Sequence, residues 1–243
     1  MPEQLWFTEF LNHYFGGIAN SLLHMVRIQP RYPAAPITNP VAMEILVVLL
    51  LLFFFVIVRA RMSVDKPGGL QHLVEAAEEF VAEQAHGVMG HGYERYIPYA
   101  ITILYFILLG NLLGLVPGFE SPTASPTVPL GCAVLTFVYY HFHGIRVQRH
   151  KYIKQFLGPL WQLWWLMLPI EVVSHFARIL SLTVRLYANM FAGDMVTLAF
   201  FSLVPVLVPV LFLGLHLFVS LVQTFIFVML TLVYLSMAVS EEH

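Results

Sequence analysis

The sequence predicts an all-α polytopic membrane protein, with about five transmembrane helices and one interfacial amphipathic helix. Three observations carry this. Of the 243 residues, 59% are hydrophobic and 11% charged, where soluble domains carry about 25% charged residues. Apolar runs approaching the roughly 20 residues needed to cross a bilayer recur along the chain, which has room for five or six of them and for no large soluble domain. One intervening stretch differs in kind, with apolar residues at helical spacing opposite a row of glutamates.

The first 40 residues contain "MPEQLWFTEFLNHYFGGIANSLLHMV". This stretch has no basic leading region and no short apolar core followed by a small-residue cleavage site, so it reads as mature sequence. Its aromatics suit a membrane interface. Residues 1–40 are expected to form an external interfacial segment, and 41–243 a single transmembrane helical domain.

The first span is "VAMEILVVLLLLFFFVIV", Val41 to Val58, stopped by "RARMSVDKPGG". Glu44, near its outer end, reads as a snorkelling interfacial carboxylate. The surface helix follows at about 70–90, where Glu75, Glu78, Glu79 and Glu83 occupy the face away from the apolar residues. A second span runs from about Ile97 to Val116. After it "PGFESPTASPTVP" is dense in Pro, Ser and Thr and marks an exposed loop. The third span, about Leu130 to His143, is followed by "GIRVQRHKYIK".

Counting Lys and Arg gives an orientation. Arg59, Arg61, Lys66, Arg95, Arg146, Arg149, Lys151 and Lys154 fall on one side, and only Arg27 and Arg31 on the other. By the positive-inside rule the N-terminus is external, the basic loops cytoplasmic and the C-terminus cytoplasmic.

From Leu157 to Val239 the chain is almost wholly apolar, interrupted by Pro159, Pro169, Pro205 and Pro209. Two long helices are expected, about 169–203 and 210–239, joined by a short external turn at "VPVLVP". Each exceeds about 40 Å, against a hydrocarbon core of about 30 Å. The hairpin of about 169–239 must therefore tilt strongly or bend, and it presents a broad side to its neighbours.

Within that hairpin, "ILSLTVRLYANMFAGDM" carries an arginine and an aspartate. A charge at the bilayer centre costs about 2.5–3.5 kcal/mol on insertion scales and is usually functional. At about 100° per residue, Glu171, Ser174, Arg178, Arg185 and Asn189 fall within about 60° of one another, a lengthwise polar stripe. On the last helix His216, Ser220, Gln223, Thr231 and Tyr234 share a face. Polar residues in membrane helices also serve as packing contacts between helices, and Ser174, Ser220 and Thr231 fit that role equally well. Arg185 stays protonated under any ordinary condition, so it can act as a fixed cation that attracts a carboxylate and blocks direct proton passage. Glu171, Asp194 and His216 are of titratable types and are candidate relays. Along a straight helix Glu171 lies about 21 Å from Arg185 on the cytoplasmic side, and Asp194 about 13 Å away toward the outside. Asp194 points roughly opposite to the stripe, which should bring it to the last helix near His216. The layout is two offset polar half-paths with one permanent cation between them.

"SLTVRLYANMFAGDM", together with "HLFVSLVQTFIFVMLTLVYLSMAVSEEH", resembles subunit a of the F-type ATP synthases in its bacterial form. The specific motifs cover roughly the C-terminal half; upstream, the layout of one span, a surface helix and a hairpin fits more loosely. The resemblance implies a proton-translocating stator subunit with no catalytic site of its own, in the bacterial plasma (inner) membrane, beside the rotating c-ring and the peripheral-stalk b subunits. It implies that Arg185 is the essential arginine facing the c-ring carboxylates. Asn189, Asp194, His216 and Gln223 would belong to the external half-channel, and Glu171, with Ser174 beside it, to the cytoplasmic side. Relatives usually carry Glu at the place of Asp194, and many carry an aspartate where this chain has Ser125, which weakens any proton-uptake role for that loop.

Other classes fit less well. A net charge of −2 gives no basis for a nucleic-acid partner or polybasic lipid anchoring. A single cysteine, Cys132, excludes an intramolecular disulfide and a cysteine-based metal site. No Gly-rich Lys-Ser/Thr phosphate loop and no H-E-x-x-H pattern occurs, and no cofactor is expected. A self-contained transporter would show internal repeats and paired broken helices, yet the Arg185 segment is not repeated. A cytochrome would need facing histidine pairs; His175 and His216 are the deep candidates, with His141 and His143 near a span end.

Overall fold

A computed structural model of the chain describes residues 4–25, 27, 32–64, 66–116, 118–149, 152, 164–203 and 207–239. Arg31, Lys151, Lys154, Pro159, Pro205, the centre of the turn at "VPVLVP" and residues 240–243 lie outside the described residues. Among the described residues there are seven α-helices and no strand. They are α1 (Trp6–Met25), α2 (Asn39–Arg61), α3 (Gly69–Met89), α4 (Ile97–Leu113), α5 (Thr127–Gln148), α6 (Trp164–Leu203) and α7 (Leu207–Val239). Among the described residues five stretches are long and apolar enough to cross a membrane: Asn39–Arg61, Tyr93–Leu113, Thr127–Gln148, Trp165–Phe200 and Val210–Val239.

α1 lies against α2. Phe7 and Leu11 join Ala42, Met43, Val47 and Ile37 in one apolar cluster. Asn12 clamps the connecting chain, donating to the Ile37 carbonyl at 2.9 Å and accepting from the Ile37 N–H at 3.0 Å. Trp6, Phe10 and Tyr14 remain exposed, an arrangement suited to an interface.

α3 is amphipathic as its sequence pattern requires. Glu75, Glu78, Glu79 and Glu83 are exposed, while Val81 and Ala85 are buried in the main core with residues of α4 to α7. The helix stops at Gly90, whose φ of 71° only glycine adopts readily. The far end of α7 is tied to it by Ser236 Oγ, which donates to the Val88 carbonyl at 3.1 Å.

The main core lies where α4, α5, α6 and α7 meet, around Ile103, Ile107, Ala133, Leu186, Met190, Phe227 and Leu232. Tyr96 at the start of α4, Tyr140 near the end of α5, and Leu235 and Ala238 at the end of α7 cluster with Tyr152. The ends of these three spans therefore share one end of the bundle, the end next to the basic residues Arg95, Arg146 and Arg149.

Several boundaries differ from expectation. α5 begins three residues earlier than expected and ends five later. α6 begins at Trp164, so Pro169 lies inside it, where a missing N–H removes one helical hydrogen bond. α7 begins at Leu207 and holds Pro209 in its first turn, where proline is tolerated because that N–H needs no helical partner.

The larger correction concerns "PGFESPTASPTVP". Instead of an exposed loop, Ser121, Pro122 and Thr123 are buried, in a short 3-10 turn (Pro122–Ala124) that packs against α6, α2 and α4. The hydroxyls satisfy groups inside the bundle. Ser121 Oγ donates to the Gly110 carbonyl at 3.0 Å, and Thr123 Oγ1 donates to Asn111 Oδ1 at 2.6 Å. Asn111, fully buried, points its amide at Thr224 Oγ1 and the Ser220 carbonyl, at 3.3 and 3.4 Å. Glycine permits the approach, since a Cβ on Gly114 would sit 2.8 Å from Ser121 Cβ. Gly118 and Glu120 before the turn, and Pro126 and Thr127 after it, are exposed.

Candidate functional site in the α6–α7 pair

α6 and α7 pack together along most of their lengths, and the sequence explains how. On α7, His216, Ser220, Gln223, Thr224, Phe227, Thr231 and Leu235 are buried at helical spacing, and on α6 Leu182, Leu186 and Met190 answer them. Two polar members of the α7 row satisfy themselves locally: Thr224 and Thr231 each donate to the carbonyl four residues earlier, at 2.8 and 2.9 Å. Ser220 Oγ points at the Met190 sulfur at 3.8 Å.

Arg185 sits beside Leu186 at the edge of this seam and is half-buried. Among the described residues the close cation–carboxylate contacts are His72–Glu75, Glu171–His175 and Asp194–His216. None includes Arg185. The outer face of α6, formed by Val173, Phe176, Leu180, Val184, Phe191 and Met195, is exposed. Only 17% of its most apolar window is covered by the rest of the chain, against 39% in α7 and 44% in α4.

One turn beyond Arg185, Asn189 Nδ2 donates to Gln223 Oε1 at 2.8 Å. One turn further, Asp194 Oδ1 lies 3.7 Å from His216 Nδ1. His216 is 4% exposed, and its Nε2 is buried without a hydrogen-bond partner among the described residues. Gly193 creates the room for this ring, because a Cβ there would stand 3.2 Å from His216 Nδ1 and Cε1.

On the other side of Arg185, Glu171 Oε1 lies 3.4 Å from His175 Nε2. Tyr140 of α5 meets the other ring nitrogen, Nδ1, at 2.9 Å. A cavity of about 30 Å³ opens here between Tyr140, Tyr152, Glu171, His175, Arg178 and Tyr234. The Arg178 guanidinium lies over the Tyr234 ring, 5.3 Å from its centre. Ser174 is half-buried next to this group.

The structure thus joins Asp194 to His216 and Asn189 to Gln223, both toward one end of the bundle, and puts Glu171 nearer the other. Sequence reasoning had missed Gly193, the Asn111–Thr123–Thr224 network and the link from Glu171 through His175 to Tyr140. Only Gly193 left a local signal, as a glycine set immediately before Asp194 in a polar membrane segment.

These features define an α-helical, multi-pass membrane protein whose last two helices pack along a partly polar seam with a permanent cation at its edge. The ATP synthase A chain family matches residues 41–236. The chain is 56% identical over 244 residues to ATP synthase subunit a of Koribacter versatilis, with 100% of each chain covered. It is 46% identical over 233 residues to ATP synthase subunit a of Solibacter usitatus, covering 96% of this chain and 99% of that one. With the protein of that name from Sulfurimonas denitrificans the identity is 44% over 180 residues, 73% of this chain and 80% of the other. The chain belongs to the ATP synthase subunit a family, and it is an integral membrane protein.

Proposed function

We propose that this chain is the proton-translocating stator subunit of an ATP synthase, with two offset half-paths separated by Arg185 beside a rotating c-ring. The observation that carries the proposal is Arg185 itself, a half-buried guanidinium with no carboxylate partner among the described residues, on the least covered of the five spans. A charge so placed calls for a carboxylate from another subunit. At 4 Å and an effective dielectric constant near 20, that attraction is about 4 kcal/mol.

A proton enters from outside through the region of Asp194 and His216, with Asn189 and Gln223 between it and Arg185. It neutralises a rotor carboxylate that has just left Arg185. The neutral site can turn into lipid, where its charged form would cost about 2.5–3.5 kcal/mol. After nearly a full turn the site reaches the Glu171 and Ser174 side, releases its proton toward the cytoplasm, and is drawn back to Arg185. Arg185 keeps its proton throughout, so the two half-paths exchange protons only by way of the rotor.

In this reading the N-terminus is external, the basic ends of α2, α4 and α5 face the cytoplasm, and the membrane is the bacterial plasma membrane. Residues 41–243 form one transmembrane domain, and the b subunits of the peripheral stalk bind the chain away from the rotor face. The deciding experiment compares native complex with Arg185→Ala in membrane vesicles. Loss of both ATP-driven acidification and ATP synthesis in a fully assembled complex is expected. Coupled transport at a near-native rate would show that Arg185 is a packing residue.

A further inference from the structure

Near the end of α5 lies a group of titratable side chains that the half-path scheme does not use. His175 is 8% exposed and Tyr140 2%, and both ring nitrogens of His175 are engaged. Its Nε2 faces Glu171 Oε1 at 3.4 Å, and its Nδ1 faces Tyr140 Oη at 2.9 Å. Tyr140 and His175 border the same cavity of about 30 Å³, large enough for water. Glu171, Tyr152, Arg178 and Tyr234 complete its polar wall, so the carboxyl group and the Tyr140 hydroxyl open on the same space. His141 stands next to this set, its ring 4.6 Å from that of His175 and its Nδ1 in contact with Tyr152 Oη.

A buried imidazole with an oxygen at each nitrogen has the geometry of a proton carrier, because it can accept at one nitrogen while releasing from the other. A histidine used only for packing needs one satisfied nitrogen. Here the second one leads away from the α6–α7 seam, across to α5 and a water-sized space. We propose that His175 is a proton-relay residue of the half-path that contains Glu171, carrying protons between that carboxyl group and the Tyr140 cavity. This rests on the reading of Glu171 as the carboxylate of the cytoplasmic half-path.

In the release direction the Glu171 carboxyl gives its proton to Nε2. The proton on Nδ1 passes to the Tyr140 oxygen, and the Tyr140 hydroxyl proton passes to water in the cavity. One proton enters and one leaves. Glu171 ends as a carboxylate, the water as hydronium, and the imidazole as its other neutral tautomer. The reverse sequence serves ATP-driven pumping. Arg178 holds a fixed charge in the cavity wall, and Tyr234 beneath it keeps that charge in place.

The test uses vesicles carrying the whole complex and, after removal of the catalytic sector, passive proton conduction driven by a potassium diffusion potential. His175→Gln keeps hydrogen-bonding atoms at the site but cannot accept and release a proton at neutral pH. Conduction should fall about 100-fold, the low end of what a positioned proton-transfer group contributes, and imidazole added on the cytoplasmic side should restore part of it. Native conduction by His175→Gln overturns the proposal, and so does a loss that imidazole leaves unchanged. If His175→Gln prevents assembly, Tyr140→Phe decides, since it removes one hydroxyl from a packed ring: reduced conduction supports the relay and native conduction overturns it. Glu171→Gln is measured in parallel. If it abolishes conduction while His175→Gln and Tyr140→Phe conduct normally, the half-path reading stands and the relay falls. If Glu171→Gln conducts normally, the half-path reading falls and the relay with it.

Discussion

Gly193→Ala is a sharp probe of the proposed external half-path because it substitutes no titratable group. The new methyl would stand 3.2 Å from His216 Nδ1 and Cε1 and 3.3 Å from Cγ, so the ring must move by a few tenths of an ångström. It has little freedom to do so, being 4% exposed and seated over the α6 backbone. Overpacking of this kind costs about 1–3 kcal/mol, and the displaced ring loses its 3.7 Å approach to Asp194. If that cost falls on the transfer step, the rate drops about 5-fold to 150-fold, at 1.36 kcal/mol per tenfold. The assay is ATP-driven acidification of vesicles, normalised to assembled complex, for Gly193→Ala and the bulkier Gly193→Val. A graded loss, with Val worse than Ala, is expected. Full turnover per complex in Gly193→Val would show that the Asp194–His216 approach does not limit transport.

Asp194→Glu adds one methylene toward a ring already 3.7 Å away; it should bring the carboxylate into hydrogen-bond range and keep pumping at or above the native rate, whereas Asp194→Asn should abolish it. Asn111→Leu removes one bond of 2.6 Å and two of 3.3 and 3.4 Å. At about 0.6 kcal/mol per interhelical bond in a membrane, the expected loss is about 2 kcal/mol, read as a lower thermal midpoint of the detergent-solubilised complex. Gly144→Ala would place a Cβ 2.5 Å from Tyr152 Cε2 and 3.0 Å from the Ala238 carbonyl; it should reduce the amount of assembled complex, because the α7 backbone cannot yield as a side chain can. Tyr99→Phe loses a 3.0 Å bond to Thr136 but keeps its stack on Tyr139 at 3.8 Å, so pumping should stay native with a stability loss of about 0.6 kcal/mol.

What the sequence disclosed, and what it did not, follows from the range of each signal. The α3 glutamates and the polar stripe on α6 are properties of one helix, and a period of 3.6 residues displays them without a partner. Even the meeting of Asp194 with His216 could be anticipated, because a residue turned away from the Arg185 stripe can face the adjacent antiparallel helix. The turn at Ser121 to Thr123 gave the opposite impression for a physical reason. Proline and hydroxyl residues mark exposed loops when water satisfies their polar groups, but here a buried amide, Asn111, takes water's place at the Thr123 hydroxyl. Nothing in the segment itself announces that exchange. The same holds for His175, whose second partner, Tyr140, stands 35 residues away on another span; its spacing alone was as compatible with a haem ligand.

The two ends of α6 share a chemical arrangement that its centre lacks. Toward one end Glu171 faces His175, and toward the other Asp194 faces His216. On the proposed reading each pair is a proton-holding station, with the imidazole 3.4 or 3.7 Å from its carboxylate as a counter-charge. Arg185, between them, has no such partner among the described residues and cannot lose its proton. A proton resting on either pair therefore meets a fixed positive charge instead of a continuing chain of acceptors. In water such a barrier would be screened within about 10 Å, but the neighbouring Leu182, Leu186 and Met190, all buried, carry no charge to screen it. Neither pair alone would make transport depend on rotation. On the reading proposed above, a permanent cation set between two titratable pairs does so once a rotor supplies the carboxylate that can lie beside the cation at one moment and turn into lipid, neutralised, at the next.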